Sequence, residues 1–301
     1  MDGLAPAVVG DAGHDLTTPP AAVPTYEAAM LPTGRTFYKM SGSGNDFVMV
    51  DAMREGPGAL AEAGVVQAVC ARATGIGADG IVFLEPSDSA DYRMTYLNSD
   101  GSRADLCGNA SLCSARLAAE LEIVRGPEFR VETDAGVLAA RLLDQGPEVD
   151  LQPVTDIRPN LPFRLEAGER WIGFALAGVP HLVVRVDDVA TVDVVGRGRP
   201  LRHDRSLAQG ANVNFVSPDG SGGWRIRTFE RGVEGETLAC GTGSVASAIL
   251  LVEAGEAADR VPLTTRSGKL LVVRLRPSPN GWRPSLSGEA RVVFQGRFGE
   301  L

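Results

Sequence analysis

The sequence predicts an α/β protein made of two copies of one unit, and three observations carry that prediction. First, CGNASLCSARLAAE from Cys107 and CGTGSVASAILLVE from Cys240 match at an offset of 133 residues. Besides the Cys-Gly pair, Ser111/Ser244, Ser114/Ser247, Ala115/Ala248, Leu117/Leu250 and Glu120/Glu253 are identical. Second, the same offset carries Gly77-Ala78-Asp79 onto Gly210-Ala211-Asn212 and Asn98 onto Arg231. One residue of slippage brings Gly44-Asn45-Asp46-Phe47 beside Gly178-Val179-Pro180-His181. Third, in each copy the Cys-Gly motif opens an apolar helix, and strand-like apolar runs complete the unit.

The elements follow in chain order. Residues 1–34 are rich in Ala, Pro and Gly without periodicity, which predicts a disordered tail. The runs Asp46 to Asp51 and Gly80 to Leu84 read as strands of the first copy. Leu112, Ala115, Leu117, Ala119 and Leu121 then mark its helix. Val245, Ala248, Ile249 and Val252 mark the helix of the second. Arg291 to Phe294 reads as a last strand that returns to the first copy. The expected division is a first half of 35–151 plus 286–301 and a second half of 152–285.

Bulk properties narrow the function classes. A chain of 301 residues has room for about two domains and a sizeable core. A net charge of −9 argues against nucleic-acid and anionic membrane partners. No window reaches the roughly 18 apolar residues of a membrane span. With no export signal in view, Cys70, Cys107, Cys113 and Cys240 are expected as free thiols of a cytoplasmic protein. There is no CxxC pair and the only histidines are His14, His181 and His203, so a zinc site is not expected.

The first turn of a helix carries unpaired amides that attract an anion, and glycine lets a ligand come close. The amides of Gly108-Asn109 and of Gly241-Thr242 therefore suit a substrate carboxylate. The same field is expected to depress the pKa of Cys107 and Cys240. A lone Cys-Gly is usually core packing; the duplication favours chemistry. Two units packed about a pseudo-twofold axis would place both thiols on one cleft. One thiolate would take the α-proton of an amino acid while the opposite thiol returns one on the other face. Cys70 and Cys113 lack this duplication and read as structural.

These blocks together resemble the diaminopimelate epimerase family. The resemblance rests on MSGSGNDF from Met40, GIGADG from Gly75, LNSDGS from Leu97 and CGN from Cys107. It continues in GVPH from Gly178, ANVNF from Ala211 and ERGVEGETLACGTG from Glu230. It implies two pseudo-symmetric halves, each a curved mixed sheet wrapped around a central helix, and a cofactor-independent isomerase. By resemblance Cys107 and Cys240 are the acid/base pair. Asn45, Asn98, Asn212 and Arg231 would hold the distal end of the substrate, and His181 and Glu230 would tune the thiols. A homodimer is implied as well.

Read on their own, the same asparagines suit turns, His181 a structural role, and Glu230–Arg231 a surface pair. The run also departs from the family at Gly80, Ala110, Leu112, Val179 and Phe294. Gly80 and Val179 each lack a polar group that could touch substrate. The expected reaction is epimerisation of LL-2,6-diaminopimelate to the meso form, in lysine and peptidoglycan biosynthesis. The alternatives are racemisation of another amino acid, basic ones included, on the same scaffold, or non-catalytic amino-acid binding. A pyridoxal enzyme would need its Schiff-base lysine from Lys39 or Lys269.

Overall fold

The computed structural model describes residues 34–299. The expected tail lies outside them except for Gly34, whose amide donates to the Phe298 carbonyl at 2.7 Å.

The first unit opens with strands β1 (Thr36–Gly42) and β2 (Asn45–Asp51), an antiparallel hairpin. Its two-residue turn has φ of 54° at Ser43 and 115° at Gly44, as a tight hairpin requires. Helix α1 (Ala63–Cys70) crosses over to β3 (Gly80–Glu85), parallel to β2. Strand β4 (Tyr92–Asn98) runs antiparallel to β3 and leads into helix α2 (Gly108–Glu120). A meander of β5 (Glu128–Thr133), β6 (Gly136–Leu143) and β7 (Gly146–Asp150) closes the unit.

The second unit repeats this order. Its members are β9 (Glu169–Ala177), β10 (Val179–Val186), α3 (Val194–Arg202), β11 (Asn212–Pro218) and β12 (Trp224–Glu230). Then come α4 (Gly241–Glu253), β14 (Arg260–Thr264), β15 (Leu270–Ser278) and β16 (Gly281–Gly288). The extra short strand β13 (Gly235–Thr237) pairs with β12.

Two strands extend the units at matching places. β8 (Ile157–Arg158) pairs with β9, and β17 (Arg291–Arg297) pairs with β1. β7 and β16 pair antiparallel, so the 17 strands of the described residues join one mixed sheet. β16 pairs with β15 along its whole length, so a boundary at 285/286 cuts through a strand; the crossing to β17 comes after Gly288.

Side-chain alternation sets the layers. In β2, Phe47 and Met49 point into the central core with α2, while Val48 and Val50 point outward against α1. In β10, Val183 joins the central core, and Leu182 and Val184 pack with Val194 and Leu201 of α3. Both faces of these strands are covered, which explains their unbroken apolar runs. Helices α2 and α4 are buried nearly all round, and the sheet wraps them. Ala110 and Leu112 are completely buried core residues of α2.

Candidate active site

Cys107 and Cys240 are the N-cap residues of α2 and α4, with nearly the same extended backbone: φ −130°, ψ 114° and φ −140°, ψ 111°. Ser111 and Ser244 explain their place in the repeat. Each hydroxyl donates back across the first turn to the carbonyl of its own cysteine at 2.9 Å, which satisfies the buried hydroxyl locally. The Cys240 Sγ accepts from the Gly243 amide at 3.3 Å and lies 3.6 Å from the Thr242 hydroxyl.

The two helix starts meet. A Cβ placed on Gly108 would lie 2.9 Å from Leu286 Cδ2 and 3.9 Å from Gly241 Cα. One on Gly241 would lie 3.1 Å from the same leucine carbon and 3.5 Å from Asn109 Oδ1. Glycine at both positions lets the motifs abut under one buried side chain. Asn109 Oδ1 is buried at this junction without a hydrogen-bond partner among the described residues.

The expected depression of the thiol pKa values does not occur. Burial pushes Cys107 up to about 11, against the pull of the Ala110 and Asn109 amides, and Glu230 pushes the same way. Burial also pushes Cys240 up to about 12; Glu230 and Cys107 add to the rise, and the Thr242 hydroxyl and Gly243 amide oppose it. Desolvation of a thiolate outweighs the partial charge of a helix start. Glu230 is therefore in electrostatic reach of both thiols. Its own carboxyl is raised by burial and then by the charge of Asp79. It makes no ion pair with Arg231 among the described residues.

His181 is fully buried, and burial together with the neighbouring Arg231 charge pushes its imidazole down to about 3. Asn212 lies beside it, paired in register on the parallel strand. The Asn212 Oδ1 accepts from the Arg231 amide at 2.7 Å, and the Arg231 guanidinium donates to the Gln209 carbonyl at 3.3 Å. Asn45 donates to Asp79 Oδ2 at 2.9 Å and accepts from Asn109 at 2.6 Å, so it reaches the start of α2 directly. Asn98 instead donates to Ser102 at 3.0 Å within its own turn. A Cβ placed on Gly178, before Val179, would lie 3.9 Å from the Thr242 methyl at the start of α4.

Strand register corrects one equivalence. Phe47 pairs with Gly80, and Leu182 with Val213. Asp46 is thus the counterpart of His181, two residues of slip where the sequence suggests one.

A family model for diaminopimelate epimerase matches residues 37–156 and 174–279. The chain belongs to the diaminopimelate epimerase family. It is an isomerase. A diaminopimelate epimerase of Gemmatimonas aurantiaca is 48% identical over 277 residues, covering 88% of this chain and all of that one. One of Aquifex aeolicus is 42% identical over 275 residues, covering 88% of this chain and 98% of that one.

Solved structures of low identity share the fold. A PhzF-family phenazine biosynthesis protein of Bacillus anthracis superposes with a TM-score of 0.66 at 15% identity, covering 88% of this chain and 98% of its own. A probable proline racemase of Agrobacterium radiobacter K84 gives 0.64 at 17%, with 88% and 93% covered.

Against the diaminopimelate epimerase pattern, Gly80 now has a physical reason. A Cβ there would meet the Leu97 carbonyl at 2.4 Å and the Tyr96 ring at 2.5 Å. The Tyr96 ring fills the space a side chain at 80 would take, and its hydroxyl donates to the Asp79 carbonyl at 3.4 Å.

Sequence reasoning passed over Tyr96, Asp79 and Asn214. Asp79 holds Asn45 and sits in a chain of charges with Arg72, Asp46 and Lys39. The signal for it was present, since Asp79 is the repeat partner of Asn212. Tyr96 and Asn214 carried no such mark.

Proposed function

We propose that this protein interconverts LL- and meso-2,6-diaminopimelate by proton transfer between Cys107 and Cys240, without a cofactor, in lysine and peptidoglycan biosynthesis. The observation that carries the reading is the abutting pair of equivalent cysteine-capped helices at Gly108 and Gly241. The amides of Gly108, Asn109, Gly241 and Thr242 receive the α-carboxylate. One thiolate removes the α-proton and becomes a thiol. The electron pair delocalises into the carboxylate, where the helix dipoles stabilise it. The opposite thiol then protonates the other face and is left as the thiolate, the form that serves the reverse direction until proton exchange with solvent resets the pair.

Both thiols are neutral near pH 7 in the free protein, by the burial described above. The incoming α-ammonium is an opposite charge in a poorly solvated site, which favours one thiolate on binding. Glu230 and His181 set the field around the pair. Asn45, Asn212, Arg231 and Asn98 are assigned to the distal amino-acid end, with Arg231 as the carboxylate fork.

The two halves, divided after 151 and with the chain returning to the first after Gly288 rather than at 286, carry one thiol of the pair each. Among the described residues no helix is long and apolar enough to cross a membrane, and all four cysteines are free. Cytoplasmic placement is part of the same proposal, as the compartment in which four free thiols stay reduced. A homodimer is part of the same reading, with Val293 and Phe294 exposed on β17.

The deciding experiment is solvent-deuterium exchange at the α-carbon with LL-diaminopimelate and a panel of L-amino acids, resolved by chiral chromatography. Exchange and inversion of diaminopimelate are expected. Turnover of another amino acid without turnover of diaminopimelate would refute the substrate, and binding without exchange would refute catalysis.

A further inference from the structure

The His181 side chain has one nitrogen in a defined bond and one with none. Nδ1 lies 3.2 Å from Asn214 Nδ2. Nε2 is buried with no hydrogen-bond partner among the described residues. Asn214 is itself completely buried, and its amide can face only one way. Its Nδ2 lies 3.0 Å from the Leu182 carbonyl, which only accepts, and its Oδ1 takes the Thr228 hydroxyl at 2.9 Å. A flipped amide would set oxygen against the Leu182 carbonyl. Nδ2 therefore spends one hydrogen on Leu182 and presents the other to His181 Nδ1, which must offer a lone pair. Oδ1 of the same amide lies under the first turn of α4, 2.2 Å from where a Cβ on Gly243 would sit, and that Cβ would be 3.2 Å from Cys240 Sγ.

We propose that Asn214 is a positioning residue that fixes His181 in the neutral Nε2–H form, making it a standing hydrogen-bond donor to an anionic acceptor in the thiol site rather than a proton carrier. A proton on Nδ1 would face the Asn214 N–H, so both the other tautomer and the imidazolium are disfavoured. The first half has no copy of this device. Asn214 falls on Ile81 in the repeat, and Asp46, the counterpart of His181, belongs to the Lys39–Arg72 charge chain. The two thiols thus work in unlike surroundings, one beside a fixed neutral donor. The inference rests on the proposed placement of His181 beside the reacting thiols.

The test reads the imidazole nitrogens of the 15N-labelled full chain by two-bond 1H–15N correlation, with His181→Gln assigning the signal. At pH 7 the free protein is expected to show a pyridine-like Nδ1 and a pyrrole-like Nε2 for His181. Asn214→Asp, whose carboxylate only accepts, is expected to move the proton to Nδ1 and lower kcat at least about tenfold with little change in KM. Asn214→Ala, which removes the donor without adding charge, is expected to give both tautomers. A protonated Nδ1 in the unaltered protein, or a single Nε2–H form in Asn214→Ala, would overturn the proposal. So would an Asn214→Asp protein with altered tautomer and unaltered kcat. The tautomer is read without substrate, so its failure is distinct from a failure of the epimerase reading, which shows as absent α-proton exchange in the unaltered protein.

Discussion

Gly108 and Gly241 face each other where α2 and α4 begin, close enough that a Cβ on the first would touch the Cα of the second at 3.9 Å. The contact joins the two cysteine motifs through backbone rather than through side chains. Gly108→Ala forces its methyl to 2.9 Å from Leu286 Cδ2 in a fully buried layer. Overpacking of this kind costs about 1–3 kcal/mol. Urea denaturation is expected to show that loss, and epimerisation is expected to fall further than stability alone explains, because the leucine tip that must give way also packs over Gly241 at the start of α4. A Gly108→Ala protein with unchanged kcat would mean the close approach has no part in the chemistry.

Replacing either thiol separates catalysis from binding. Cys107→Ser and Cys240→Ser are each expected to lower epimerisation at least about 100-fold, the usual scale for losing a proton-transfer group. Both should keep the thermal midpoint of the parent to within a few degrees, since a hydroxyl fits the N-cap position well. Chiral chromatography after prolonged incubation checks the first point and calorimetry the second. Parent-like turnover in either variant contradicts the two-thiol reading.

The raised thiols give a pH dependence with a definite sign. With Cys107 at about 11 and Cys240 at about 12, the thiolate fraction of the free protein is small at neutral pH and grows with pH. Alkylation by iodoacetamide is expected to accelerate by about tenfold per pH unit from pH 7 to 9, without a plateau. An acid raised in the folded state adds stability that is full below its unfolded pKa. That stability is lost as pH climbs toward the folded value. Unfolding at pH 10 should therefore be easier than at pH 8. An alkylation plateau below pH 8 would show an activated thiolate in the free protein.

Lys39 is 7% exposed and rests on Asp46, at 2.6 Å, and on the Gly77 carbonyl. Arg72 clamps the same carboxylate and Asp79. Together Arg72 and Lys39 hold Asp46 below the usual carboxylate range in spite of its burial. Asp46→Ala leaves a buried ammonium without its carboxylate, at a cost of about 3 kcal/mol. Lys39→Met added to it should recover part of that loss. Equal stability of the single and double variants in a denaturation series would refute a buried-charge origin.

Gly80→Ala is expected to be more damaging than the swap at Gly108. Its Cβ would meet a strand carbonyl at 2.4 Å, which cannot rotate away, as well as the Tyr96 ring. A loss of about 3 kcal/mol or more is expected, measured against the parent by urea titration. Tyr96→Ala should not rescue it, because the Leu97 carbonyl stays in place.

The repeat at Cys107 and Cys240, the strands at β2 and β3, and both central helices were legible in the primary structure. Each depends on local periodicity and on two motifs standing at one offset. The same repeat marked Ser111, Ser244 and Asp79 without revealing their use. Ser111 and Ser244 turn back one helical turn onto cysteine carbonyls, whereas Asp79 reaches across to Asn45, a bond that exists only once strands are paired. The thiol pKa shift came out opposite to the local expectation. A helix start acts within one turn and can be read from the chain, whereas desolvation depends on everything packed around the sulfur. The sequence by itself determined that two equivalent cysteines begin two helices. Only the tertiary structure decided that those helices touch at their glycines, that Tyr96 takes the room beside Gly80, and that Asn214 faces His181. These are contacts between segments distant along the chain, and they are set by register and packing.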